Sequence, residues 1–115
     1  MTDQGITMNR YAISGILRDA EQGKSVAVFA HSRVSLREAF GVMAQHCDAA
    51  RIVRSNGHER IDLPNGGRIT FHCAAAGGGR GLSVDVAYVD EWNAMSEKAR
   101  ADVAVSACRG ELIRA

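Results

Sequence analysis

Two adjacent carboxylates, Asp90 and Glu91, follow the apolar run Val86 to Val89 and precede Trp92. A buried strand that delivers two acids at its end suits nucleotide hydrolysis. The first acid orients a magnesium ion and its waters, and the second polarises the attacking water. The same pattern also marks a solvated strand end or a helix start, so the pair needs a phosphate loop beside it. That loop is GxxxxGK[ST] between a strand and a helix, where backbone amides and the helix N-terminus cradle the phosphates. The one Gly-Lys-Ser, Gly23-Lys24-Ser25, has Arg18 where the first glycine belongs. A helical pattern precedes it and a strand pattern follows, the reverse of the required order. A glycine closing a helix before a strand is the reading that fits.

Other polar residues allow two readings each. Arg80 lies in AAAGGGRG, Ala74 to Gly81, which reads either as an anion- or DNA-contacting loop or as a connection whose glycines permit tight turns. Arg51, Arg54, Arg60 and Arg68 fall on strand-like segments. They are placed either to follow a nucleic-acid backbone or to guard a sheet edge against pairing. His31, His46, His58 and His72 are scattered, and Cys47, Cys73 and Cys108 show no ligand spacing, which argues against a metal centre. The cysteines read as buried free thiols in a reducing cytosol, and Trp92 as a packed anchor beside the acids.

The elements that must position these groups alternate. Met8, Ala12, Ile13, Ile16, Leu17 and Ala20 predict a helix that stops before Gly23. Ser25 to Ala30, SVAVFA, has no polar alternation and predicts a strand covered on both faces. Ser35 and Glu38 have capping-box spacing and open a second helix, with Leu36, Ala39 or Phe40, Met43 and Cys47 on one side. RIVRS, ERIDLP and GRITFHC read as strands, the last two joined at Asn65-Gly66. GLSVDVAYVDEW gives a further buried strand, Met95, Ala99, Val103 and Ser106 or Ala107 a final helix, and ELIRA the start of one more strand. The expectation is one three-layer α/β domain over residues 1–115, with chemistry at the carboxyl ends of its strands. Two strand ends qualify, the one at His31-Ser32-Arg33 and the one at Asp90-Glu91.

Composition adds little direction. The chain has 115 residues, 46% hydrophobic and 23% charged, with a net charge of +1. Those values fit one ordinary soluble domain and favour no partner by bulk charge. No apolar run approaches the roughly 18 residues of a membrane helix, and MTDQGITMNR lacks the apolar centre of a signal peptide. A cytoplasmic location is expected, with no membrane partner.

GGGRGLSVDVAYVDEW, preceded by ERIDLPNGGRITFHC, resembles the ATPase domain of phage terminase large subunits, the DNA-packaging motors. In that family a strand pair with an asparagine-glycine turn precedes an arginine-glycine segment that leads into the Walker B strand. Here those are Asn65-Gly66, Arg80-Gly81 and Val86 to Glu91. GKSVAVFAHS resembles the family's second strand, and ISGILRDAEQ the helix that follows its phosphate loop. The resemblance spans roughly Gly5 to Ala115 and implies a P-loop nucleotide-hydrolase fold, related to ATP-driven motors and helicases, in a host cell's cytoplasm. It makes Asp90 and Glu91 the Walker B-like acids, with Asp90 on magnesium. It puts the phosphate loop at DQGITMNR, where Gly5-Ile6-Thr7 stands for Gly-Lys-Thr. Ile6 replaces the lysine, and four residues precede Gly5, too few for the feeding strand. The implied sheet therefore lacks its Walker A strand.

A non-hydrolysing relative that binds a protein or nucleic acid is the expected function, with ATP and magnesium involved only if the degenerate site is still used. The alternative is an ATP-hydrolysing motor part whose phosphate-loop strand comes from another chain or copy. The missing strand also predicts that Val84 to Val89 is left at an open edge. Unless ELIRA fills the gap, the expectation is a homodimer or a protein partner with Val84 to Val89 at or near the interface.

Overall fold

The computed structural model describes residues 10–30, 32–46, 51–54, 59–73, 84–89, 96–98, 100–101 and 111–114. Two helices, α1 (Arg10–Glu21) and α2 (Arg33–His46), accompany six strands. These are β1 (Ser25–Ala30), β2 (Arg51–Val53), β3 (Arg60–Asp62), β4 (Arg68–Cys73), β5 (Val86–Val89) and β6 (Glu111–Arg114). They form one sheet in the order β2-β3-β4-β1-β5-β6. β4, β1, β5 and β6 run parallel, while β3 is antiparallel to β2 and β4. The chain is an α/β protein with a mixed sheet. Among the described residues, no helix is long and apolar enough to cross a membrane.

β1 sits between β4 and β5, and its apolar composition follows from that place. A parallel strand covered on both faces has no position for a solvated side chain. Val26, Val28 and Ala30 stand in register with Ile69, Phe71 and Cys73 and with Val86 and Tyr88, so alternation puts them on one face. Ile13, Ile16 and Ala20 of α1 join that core, as do Leu36, Ala39, Phe40 and Met43 of α2. Phe40 meets Phe71 edge-on with ring centroids 5.2 Å apart. Ala27, Phe29, Ala87 and Val89 on the opposite face are fully buried as well.

The end of α1 decides what Gly23-Lys24-Ser25 is. The Gly23 amide donates to the Ala20 carbonyl at 2.9 Å, and the Lys24 amide to the Asp19 carbonyl at 3.2 Å. Gly23 has φ of 88°, which a side chain would disfavour. This is the two-bond Schellman cap, as the order of patterns predicts, and Ser25 then starts β1.

Two local expectations are corrected. α2 begins at Arg33, not after Ser35. Ser32 is its N-cap, with Oγ accepting from the Ser35 amide at 3.1 Å, while Ser35 itself is buried in the first turn. The chain leaves β1 and turns at once, so the first serine after the strand takes the cap. The β3–β4 connection is also one residue longer than a two-residue Asn-Gly turn. The Gly66 amide donates to the Leu63 carbonyl at 3.1 Å and the Leu63 amide to the Gly67 carbonyl at 2.8 Å. Gly66 has φ of 94°. Pro64, Asn65 and Gly66 thus form a three-residue loop closed by a left-handed glycine. Its tip rests on α1: Asn65 Nδ2 donates to the Glu21 carbonyl, one of the helix's orphan acceptors.

The expectation of an open edge at Val84 to Val89 is corrected too. β5 pairs with β1 on one side and with β6 on the other. Glu111–Arg114 closes the gap within the chain, so no second molecule is needed to satisfy the β5 backbone. The final predicted helix is represented by Glu97, Lys98, Arg100 and Ala101, which are helical. Its predicted face, Met95, Ala99, Val103 and Ser106 or Ala107, lies outside the described residues.

Candidate functional site

Four parallel strands end at one edge of the sheet. Ala30 pairs with Cys73, Phe29 with Val89, and Val89 with Arg114. Ligands of α/β sheets bind outside such carboxyl ends. Asp90 and Glu91 follow Val89 in the chain and lie outside the described residues, as do Arg80, Gly5, Thr7, Trp92, His31 and His58. At the described part of this edge, Ser32 caps α2 and Arg33 opens it. Arg33 Nη2 is 3.6 Å from Glu59 Oε2, across from the start of β3. Glu59 is 6% exposed, and its Oε1 has no hydrogen-bond partner among the described residues. A carboxylate this deep is costly unless matched, and at 3.6 Å Arg33 matches it by charge without a short hydrogen bond. Cys73, at the end of β4, is a buried free thiol, as its apolar surroundings predict.

The opposite face of β4 carries His72 and Thr70. His72 Nε2 and Thr70 Oγ1 are 2.9 Å apart, and the His72 ring lies 5.2 Å from that of Phe29, its register partner on β1. Burial pushes the His72 pKa below its ordinary value, with the Glu59 charge opposing in part. His72 is therefore a neutral, packed imidazole near pH 7. His46 differs: it is exposed at the end of α2, with Nδ1 2.8 Å from the Val42 carbonyl.

The four strand arginines do not form one group. Arg51 pairs with Asp62 across β2–β3, and Asp62 pairs with Arg68 across β3–β4. Arg60, two residues from Asp62, shares their face. Arg54 lies elsewhere, its guanidinium 5.6 Å from the Phe40 ring centroid, on the side packed by α2. Asp62 Oδ1 accepts from Arg68 Nε at 2.9 Å, and Arg60 Nε lies 3.2 Å from the same oxygen. The Arg60 contact is an ion pair without hydrogen-bond alignment.

Asp85 serves the other edge of the sheet. Its Oδ2 accepts from the Ser25 amide at 2.9 Å and its own amide donates to the Ser25 carbonyl at 2.9 Å, which pins the start of β1 to the strand entering β5. Residue spacing alone does not single out Asp62 or Glu59. Counting strand positions outward from the hairpin loop would have set Asp62 opposite Arg68, given the loop's true length. Nothing local distinguishes Glu59 from a solvated strand-start acid.

The residues to which the resemblance assigns nucleotide and metal, Gly5, Thr7, Arg80, Asp90 and Glu91, all lie outside the described residues. Gly23-Lys24-Ser25 is occupied in capping α1, and among the described residues no three His, Cys, Asp or Glu side chains stand together to hold an ion. No protein-family model, curated protein or solved structure matches the chain.

Proposed function

We propose that this chain is a degenerate relative of the ATPase domain of phage terminase large subunits, with a P-loop NTPase-like fold. In this reading it does not hydrolyse nucleotide by itself and acts by binding a nucleic-acid or protein partner. The observation that carries it is the cap of α1. The one Gly-Lys-Ser of the sequence is tied into that cap, with the Lys24 amide bonded to the Asp19 carbonyl and unavailable to a phosphate. Asp90 and Glu91 are then Walker B-like relics following β5, with Asp90 a weak magnesium ligand. Gly5 and Thr7 are the remnant of the phosphate loop, and Arg80 an anion or DNA contact.

The hydrolysing alternative needs a strand from another chain beside β5. Both sides of β5 are taken by β1 and β6, so an incoming strand would have to displace one of them, which favours the first reading. A second copy or a protein partner belongs in this reading at the outer edge of β6, the end of the strand order nearest β5. Steady-state phosphate release with ATP and magnesium is the test. The chain is expected to turn over no faster than its Asp90→Ala/Glu91→Ala variant, and release clearly above that control overturns the reading.

A further inference from the structure

We infer that the outer face of β2, β3 and β4 is a sequence-independent binding surface for the phosphodiester backbone of nucleic acid, built by Arg51, Arg60 and Arg68 around Asp62. This rests on the reading of the chain as a binding module and names its surface and partner. Strand register sets Arg51 and Arg68 on either side of Asp62, about 5 Å away across each ladder step. Arg60 stands two residues along β3. Asp62 Oδ1 lies within 3.2 Å of the Nε of both Arg60 and Arg68, so two guanidinium groups are held side by side on one oxygen. Arg68 is hydrogen-bonded through Nε and Arg60 is held beside it by charge, and among the described residues no partner takes their Nη groups or the Arg51 side chain. Arg51 and Arg68 are exposed.

Three arginines against one aspartate leave the described part of this face two charges positive, in a chain whose net charge is +1. The carboxylate does more than neutralise: it fixes two forks that would otherwise repel, with their outer edges left to donate. The chemistry favours phosphate over a carboxylate partner. One guanidinium fork takes both coplanar oxygens of a carboxylate, whereas the two anionic oxygens of a phosphodiester diverge and successive phosphates follow one another along a strand, so neighbouring guanidiniums each find an acceptor. The described part of this face carries no exposed aromatic ring for base stacking, so recognition is of the backbone.

The test is fluorescence anisotropy of the full chain with labelled single-stranded homopolymer DNA over a series of salt concentrations. Arg51→Ala/Arg68→Ala is compared with Arg18→Ala/Arg37→Ala, which removes the same charge from exposed positions on the helices. The first variant is expected to bind about tenfold or more weaker, and its log–log salt slope to fall by about 1.4, at ~0.7 per lost phosphate contact on a single strand. The helix variant should retain wild-type affinity and slope. Arg51→Lys/Arg68→Lys keeps the charge and loses the fork, and should restore the slope but not the affinity. Circular dichroism verifies that each variant is folded. Equal losses in the two alanine variants reduce the effect to net charge and overturn this surface while leaving a nucleic-acid module standing. Binding of polyglutamate as tight as that of DNA overturns the phosphate assignment. Absence of DNA binding at low salt overturns the inference and removes the nucleic-acid half of the proposed function.

Discussion

Replacing Gly67 by alanine tests the joint between the β3–β4 hairpin and the end of α1. A Cβ at Gly67 would lie 2.8 Å from the carbonyl carbon of Ala20, 3.3 Å from its Cα and closer still to its carbonyl oxygen. All three are backbone atoms of a capped helix turn and cannot rotate away. The hairpin must lift, and two links are at stake: Asn65 Nδ2 to the Glu21 carbonyl, and the Arg68 amide to the Lys24 carbonyl at 3.2 Å. Forced overpacking costs about 1–3 kcal/mol, and two hydrogen bonds contribute about 1 kcal/mol each. The expected loss is therefore about 3–5 kcal/mol, a large part of the ~5–15 kcal/mol that holds a domain together. Gly15→Ala is the opposing control. Gly15 is exposed within α1 and an added Cβ meets nothing within 4 Å, so alanine there should stabilise by about 0.5–1 kcal/mol. Urea unfolding followed by circular dichroism reads both. A Gly67→Ala loss below about 1 kcal/mol, with unchanged urea dependence, would refute the packing of the hairpin tip on α1.

Acid should weaken the fold through His72. Its folded pKa is depressed by burial while the unfolded chain keeps about 6.5, so the stabilisation is complete above that pH and is lost as pH falls towards the folded value. Between about pH 7.5 and 5.5 the wild type should lose more stability than His72→Gln, and parallel curves for the two would show that His72 is not the group responsible. Oligomeric state is read by light scattering on the unmodified chain at micromolar concentration, where a second copy at β6 predicts a dimer and a monomer removes that contact. Val86 is 2% exposed and in register with Val26, so Val86→Lys should unfold the core whatever the oligomeric state, which loss of a cooperative urea transition would show.

Local order was legible in the sequence because it depends on neighbours along the chain. SVAVFA declares a strand covered on both faces by its lack of alternation, and β1 occupies those six residues. The reversed order of helix and strand around Gly23 identifies a cap rather than a phosphate loop, since the cap involves only residues Asp19 to Lys24. The apolar run ending in Asp90-Glu91 likewise reveals a buried strand, though not which strands flank it. That was decided by tertiary structure. β5 lies between β1 and β6 through pairings with segments far along the chain, and no local period carries that information. The same holds for the arginines. Their presence is written in the sequence, but which face each takes depends on strand parity and register, and a one-residue shift reverses it. The three-residue loop at Pro64 to Gly66 sets Asp62 opposite Arg68, while Arg54 falls on the other side over Phe40. Glu59 is placed the same way: its carbonyl accepts from the Phe71 amide of β4 and its carboxylate lies by Arg33 of α2, partners that only the assembled sheet brings there.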